Sequence, residues 1–296
     1  MNVAIVGTNG FLSSSIAKFS IDKGWRVDMY GLEEPNHTYT NFYYLDLINE
    51  EINDSLFLNN DLVIYAAGAG IQSNLNEKVD TIYKLNTFVP IKICKHLQSH
   101  GFRGKFITFG SYFELGESQL HQPVTELDII NAITPAPTDY VISKRLLTRF
   151  VTSYKHDFVY WHFILPTICG PGENIKRLIP YTINAIKNGD ALHFTLGNQV
   201  RQYLYVGDVS ICISEAIRKN LHSGVYNIEG KAITVKDLVA KITAKMGVIL
   251  DDSIFGGVVR TDTTMEYLAL DGAHIKKCIG YTAPTELNEI LDFYLL

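Results

Sequence analysis

Tyr140 and Lys144 stand four residues apart in the run Tyr140-Val141-Ile142-Ser143-Lys144. On a helix that spacing puts both side chains on one face. A phenol with its ordinary pKa of about 10 is a weak acid–base catalyst near neutral pH. An ammonium beside it stabilises the phenolate, and a cationic ring nearby would do so further, so the pair suits proton transfer to or from a carbonyl oxygen. Ser111, in Gly110-Ser111-Tyr112-Phe113, offers a hydroxyl that can hydrogen-bond the same oxygen as charge develops on it. The plainer reading of Ser111 is a cap or loop serine. Asn86, in Leu85-Asn86-Thr87, falls inside a helix. There an amide either is tolerated, bends the helix or holds a water that relays protons to Lys144.

The N-terminus supplies a place for a reactant. Val3-Ala4-Ile5-Val6 reads as a strand, Gly7-Thr8-Asn9-Gly10 as a tight turn, and Phe11-Leu12-Ser13 as the start of a helix. Gly7 permits the turn, and Gly10 lets the backbone approach a pyrophosphate that the helix N-terminus stabilises. Serine takes the third glycine position, where a small residue allows close helix–strand packing. The alternative is a turn that binds nothing. An acidic residue that would grip the ribose 2′-hydroxyl of NAD is expected at the end of the second strand, but that position is Gly31. Glu33 and Glu34 lie near it, and no arginine follows to hold a 2′-phosphate. Losing the carboxylate removes repulsion against NADP without adding attraction, so the choice between NAD and NADP leans to NADP.

These groups need a sheet to carry them. Apolar runs at 3–6, 26–30, 62–67, 105–109 and 158–165 read as buried strands, and amphipathic segments alternate with them. One helix presents Leu12, Ile16 and Phe19 and stops at Gly24; another, over 80–100, presents Ile82, Leu85, Val89 and Ile93 and stops at Gly101. The alternation predicts an α/β fold: a Rossmann-type, doubly wound parallel sheet. After residue 165, Pro166, Gly170, Pro171 and Gly172 break the rhythm. Residues 1–165 are expected to form the dinucleotide-binding domain, with 203–218 returning to it. Residues 166–296 are expected to form a smaller α/β substrate lobe.

Bulk properties exclude other classes. The chain has 296 residues, 47% hydrophobic and 19% charged, and a net charge of −5, with no basic stripe for nucleic acid. No apolar run spans a bilayer. Strand character from residue 3 predicts that no signal peptide precedes the fold. Cys94, Cys169, Cys212 and Cys278 are scattered, as reduced thiols in a cytoplasmic protein would be. The histidines are read as lacking the H-x-x-x-H spacing of a ligand pair, so no metal site is expected. Phe42-Tyr43-Tyr44 reads as strand or core, and Leu287, Ile290 and Leu291 as a packing stripe.

The motifs resemble, in order along nearly the whole chain, those of the extended short-chain dehydrogenase/reductase family, in its nucleotide-sugar epimerase, dehydratase and reductase branch. Gly7-x-x-Gly10-Phe11-Leu12-Ser13 is similar to the glycine motif with its last glycine lost. The resemblance implies that Asp46-Leu47 meets the adenine, that Ala66-Ala67-Gly68 borders the cofactor, and that Asn86, Ser111, Tyr140 and Lys144 are catalytic. It implies that Pro166-Thr167-Ile168 touches the nicotinamide amide and sugar, with Cys169 where tyrosine is usual. In Arg201-Gln202-Tyr203-Leu204-Tyr205-Val206-Gly207-Asp208, it implies that Arg201 binds a nucleotide diphosphate. A homodimer pairing the helices at 80–100 and 139–155 is implied too.

Departures from the family pattern narrow the reaction. The family's 4,6-dehydratases carry Asp-Glu directly after the catalytic hydroxyl residue, and its fucose-forming epimerase-reductases carry a cysteine two residues after it. Here those positions hold Tyr112 and Phe113. The expectation is therefore hydride chemistry at one carbon: NAD(P)-dependent reduction of a nucleotide-linked 4-keto-6-deoxyhexose, with Tyr112 beside the sugar. The alternatives are a nucleotide-sugar 4-epimerase with tightly bound NAD and a non-catalytic cofactor sensor.

Overall fold

The computed structural model describes residues 1–50, 53, 55–71, 76–249, 251–259 and 265–296. From the N-terminus, β1 (Asn2–Val6) leads through α1 (Phe11–Asp22) to β2 (Arg26–Gly31), β3 (Asn41–Tyr44) and β4 (Leu62–Tyr65). A long helix follows in three pieces: α2 (Val79–Tyr83), a π-helical turn (Lys84–Phe88) and α3 (Val89–Ser99). Next come β5 (Lys105–Ser111), a 3-10 turn (Tyr112–Leu115), α4 (Glu126–Ile130), α5 (Asp139–Ser153), β6 (Val159–Leu165) and β7 (Thr167–Cys169). The remainder comprises α6 (Leu178–Asn188), β8 (Val200–Tyr205), α7 (Val206–Arg218), β9 (Gly224–Asn227) and β10 (Lys231–Thr234). It ends with α8 (Val235–Lys245), β11 (Tyr267–Leu268), α9 (Ala273–Ile279) and α10 (Leu287–Leu295).

The main sheet has seven parallel strands in the order β3-β2-β1-β4-β5-β6-β9. Its central strands are largely apolar because both faces are covered: Ala4 and Val6 point into one core, Val3 and Ile5 into the other. The order reverses between β1 and β4, which is where a doubly wound sheet opens a crevice at its carboxyl edge. The Rossmann-type fold expected from the alternation is the one observed.

Several details differ from the expectation. The buried face of α1 is Ser13, Ile16, Ala17 and Ser20, with Leu12 and Phe19 only partly covered. The helix lies close to β1 and α7, and small residues allow that approach. The strand expected at 62–67 ends at Tyr65, while β5 runs on to Ser111. Phe42-Tyr43-Tyr44 lies in the edge strand β3, with Tyr43 stacked on Tyr30 at 4.9 Å and Tyr44 exposed.

The chain also crosses between layers differently. Of the segment 203–218, α7 packs on α1, but Tyr203–Tyr205 belong to β8 in a second, four-stranded sheet. Within 166–296, β9 and α9 lie with the main sheet, where Ile275 and Ile279 join its core. The remaining elements enclose a smaller core of Ile179, Ile183, Leu238, Ile242, Ile290 and Leu291, so the C-terminal stripe packs inward. Among the described residues no helix is long and apolar enough to cross a membrane. Cys94, Cys169 and Cys212 are buried thiols and Cys278 is exposed.

Candidate active site

Gly7 leaves β1 at φ +106°, and its N–H donates to Tyr30 O at 2.8 Å. A Cβ there would sit 2.9 Å from Ala67 N, so a side chain is excluded by backbone and by conformation together. Gly10 is the N-cap of α1; no side chain caps that terminus and its first turn holds no acidic residue. The first N–H groups of α1, at Phe11 and Leu12, are thus left for an anion. Ser13 is fully buried and donates from Oγ to Gly10 O at 3.0 Å, filling the small-residue position. Asn9 ties the next loop down, donating to Glu34 O and accepting from Asn36 N. Gly31 abuts the Thr8 side chain. This cradle fits a dinucleotide pyrophosphate.

Ala66, Ala67 and Gly68 follow β4 on the other side of the turn. Asn86 holds them: Nδ2 donates to Ala69 O at 2.8 Å and to Ser143 Oγ at 3.0 Å, and Oδ1 accepts from Ala69 N at 3.0 Å. Both amide hydrogens are engaged, and the helix widens into its π turn at this residue. Asn86 thus clamps the β4 turn to α5 at a point where the helix departs from regular geometry. Asp46 accepts from Ile48 N, Asn49 N and Asn49 Nδ2, which lowers its pKa. Its carboxylate caps the turn containing Leu47.

At the carboxyl edge of the sheet three side chains converge. Ser111 ends β5, and its side chain lies close enough to the Tyr140 phenol on α5 to act on its titration. Lys144 lies one turn along, with Nζ 5.9 Å from the Tyr140 ring centroid and donating to Phe109 O at 2.9 Å. Burial raises the Tyr140 phenol well above its ordinary value, partly opposed by the nearby Ser111 hydroxyl. Burial also lowers Lys144 to about 8, with Glu114 opposing the shift. Burial thus favours a protonated phenol beside an easily discharged ammonium.

In front of these groups opens a cleft of about 450 Å³, lined by Ser111, Pro166, Thr167, Ile168, Arg177 and Arg201 among others. Tyr112 is buried and its hydroxyl shares a hydrogen bond with Thr167 Oγ1 at 2.6 Å. Arg201 reaches the cleft wall from β8 but is only 5% exposed and donates to Val200 O and Met265 O.

Arg177 was not singled out from the sequence. It pairs with buried Glu173 at 3.1 Å, and Glu173 also accepts the Tyr294 hydroxyl from α10. Its charge acts on Tyr140 and Tyr203. The four-residue spacing of Glu173 and Arg177 was the available signal. Glu114 was also missed, although Ser111-x-x-Glu114 has the spacing of a capping box and forms one. His96 and His100 do stand four apart, contrary to the expectation that the histidines lack ligand spacing; each faces a backbone carbonyl. Among the described residues no group of three or more potential metal ligands occurs.

The family model that describes the NAD dependent epimerase/dehydratase family matches residues 3–228. A CDP-abequose synthase of Yersinia pseudotuberculosis is 26% identical over 277 residues, covering 90% of this chain and 91% of that protein. Among solved structures, the UDP-glucose 4-epimerase of Thermotoga maritima with UDP-glucose superposes at a TM-score of 0.84 with 20% identity, covering 99% of this chain and 97% of that one. The Bordetella bronchiseptica enzyme WbmG in complex with NAD superposes at 0.82 with 16% identity, covering 100% and 93%.

Proposed function

The chain belongs to the NAD dependent epimerase/dehydratase family and is an enzyme of oxidoreductase type, and from that premise we propose that it reduces the keto group of a nucleotide-linked 4-keto-6-deoxyhexose. The observation that carries this reading is the convergence of Ser111, Tyr140 and Lys144, at a sheet edge where Tyr112 and Phe113 follow Ser111. Elimination of water needs an added acid and base beside the sugar. Tyr112 is engaged with Thr167, and Glu114 is buried behind Ser111 with both oxygens occupied. The relative whose name specifies a CDP-linked sugar supports the nucleotide-sugar class.

A bound nicotinamide dinucleotide supplies the hydride. Gly7, Asn9, Gly10, Phe11 and Leu12 would hold its pyrophosphate, Asp46 and Leu47 its adenine end, and Ala66, Ala67, Gly68, Pro166 and Ile168 its nicotinamide side. Gly31, which offers no carboxylate against a 2′-phosphate, favours NADP over NAD. Ser111 hydrogen-bonds the substrate carbonyl oxygen. Tyr140, kept protonated by burial, releases its proton to that oxygen as charge develops there. Lys144 lowers the cost of the resulting phenolate. Arg177 and Arg201 face the diphosphate, and Thr167 with Tyr112 borders the sugar.

Exposed Phe88 on the π turn and Ile142 and Leu146 on α5 form an apolar face on adjoining helices, which we assign to a homodimer in the cytoplasm. Sedimentation velocity of Leu146→Glu tests it: a shift to monomer is expected, and an unchanged mass contradicts it.

The functional test incubates the purified protein with NDP-4-keto-6-deoxyhexoses and NADH or NADPH, following absorbance of the reduced cofactor. Stoichiometric oxidation, faster with NADPH, is expected. Inversion of the sugar without net oxidation would assign an epimerase instead, and binding without turnover a cofactor sensor.

A further inference from the structure

Behind Ser111 runs a buried polar chain that the scheme above leaves unused. Glu114 is fully buried; its Oε1 accepts the Ser111 N–H at 2.7 Å and its Oε2 accepts the Thr148 hydroxyl at 2.6 Å. Thr148 Oγ1 lies 3.0 Å from His162 Nε2, and His162 Nδ1 lies 2.6 Å from Thr108 Oγ1. Thr108 Oγ1 in turn lies 3.1 Å from the Tyr160 hydroxyl. Burying polar groups this completely is costly unless each hydrogen finds an acceptor.

One assignment satisfies them all. Tyr160 donates to Thr108, Thr108 to His162 Nδ1, His162 Nε2–H to Thr148, and Thr148 to Glu114. Each hydrogen is used once, and the chain terminates on an ionised carboxylate that Ser111 N–H meets from the other side. His162 must be neutral for this, and burial pushes it down to about 3. Gly110 belongs to the same design. A Cβ there would lie 2.6 Å from Glu114 Oε1 and 2.7 Å from His162 Nε2, so the network occupies the space a side chain would need.

The charged and titratable groups around Glu114 come from three elements. From α5, Lys144, Arg145 and Tyr140 face it; from the 3-10 turn, Tyr112 shares Tyr140 with it; from β6, His162 reaches it through Thr148, and Tyr160 lies further along the chain through Thr108. Arg145 directs its guanidinium at the carbonyls of Glu114, Leu115 and Thr134. Lys144 and Arg145 both act on the carboxylate through their charge, and of the two Lys144 stands beside the Tyr140 phenol.

We propose that Glu114 is a positioning residue of the active site, a sealed carboxylate that sets the Ser111 backbone and provides the counter-charge for the Lys144 ammonium. The proposal rests on the reading of this site as a hydride-transfer centre, but its first test needs neither substrate nor cofactor. Burial raises Glu114 to about 7, and Lys144 opposes that rise, as a coupled pair requires.

Competitive acetylation of the full-length protein, with peptide mass spectrometry, reads the titration midpoint of Lys144 directly. In Glu114→Gln, which keeps the shape and loses the charge, the midpoint is expected to fall by about half a pH unit or more. In Glu114→Asp, which keeps the charge and loses the reach, it should stay within a few tenths. Turnover of Glu114→Asp should nonetheless fall by roughly tenfold, because Ser111 is no longer held. An unchanged Lys144 midpoint in Glu114→Gln overturns the counter-charge, and wild-type turnover in Glu114→Asp overturns the positioning. If Glu114→Gln does not fold, Thr148→Val takes its place, with a smaller shift of the same sign expected and no shift overturning the proposal. A chain that reduces no keto sugar would still display or lack the Lys144 shift, so the two readings fail separately.

Discussion

The two sheets of this molecule bury their residues differently. In the main sheet the strands β1, β4, β5 and β6 are sealed almost end to end, and the site they carry is made of backbone groups, small residues and short side chains. In the second sheet β7 and β10 stay half exposed, and the lobe contributes long cations steadied by carboxylates and carbonyls, as Glu173 steadies Arg177. Under the proposed function, the first region would hold a fixed reaction geometry and the second would meet a polar partner. Changes in the main sheet should therefore act on the chemical step and the cofactor, and changes in the lobe on substrate affinity.

The sharpest way to break that division is Tyr140→Phe. Loss of the phenol should lower kcat by about 10²-fold or more while leaving cofactor affinity, read by fluorescence titration, nearly intact. Gly7→Ala comes next. With φ at +106° and Ala67 N 2.9 Å from the new Cβ, we expect a stability cost of about 1–3 kcal/mol and clearly weaker cofactor binding, checked by thermal melts with and without NADPH. In the lobe, Arg177→Met should raise KM for the nucleotide sugar by about tenfold with kcat within about twofold, since a charge-assisted contact common to ground and transition states is lost. A kcat effect larger than the KM effect would erase the distinction between the regions.

The smallest effect concerns pH. Glu114 has a folded pKa raised from 4.5 to about 7, so its contribution to stability is full below about 4.5 and declines as pH rises through about 7. Between those limits wild type should lose stability relative to Glu114→Gln by at most about 1 kcal/mol per pH unit, measured by denaturant titration. Parallel curves would mean that Glu114 does not titrate there.

The same contrast governs what the sequence could reveal. Tyr140 and Lys144 were legible because helical spacing places them together, and Ser111 because an apolar run ends beside it. The Rossmann-type sheet was legible because two-sided burial makes its strands continuous apolar words. Strands β7, β8, β10 and β11 were not, since their pairing joins residues as distant as Thr167, Tyr203 and Tyr267 and their burial is mixed. The buried face of α1 was misread because close packing against α7 favours Ser13, Ala17 and Ser20 over the larger Leu12 and Phe19. Glu114 and Arg177 had local signals, a capping box and an i,i+4 pair, but no local pattern tells that one carboxylate is sealed beneath Ser111.

Isotope transfer tests the central claim most directly. With a 4-keto-6-deoxyhexose nucleotide and NADPH deuterated at the transferable position, wild type should place one deuterium on the carbinol carbon per cofactor oxidised, and Tyr140→Phe should suppress that product. A sugar product free of deuterium, or labelled equally well by Tyr140→Phe, would contradict the role assigned to the converging phenol, ammonium and hydroxyl.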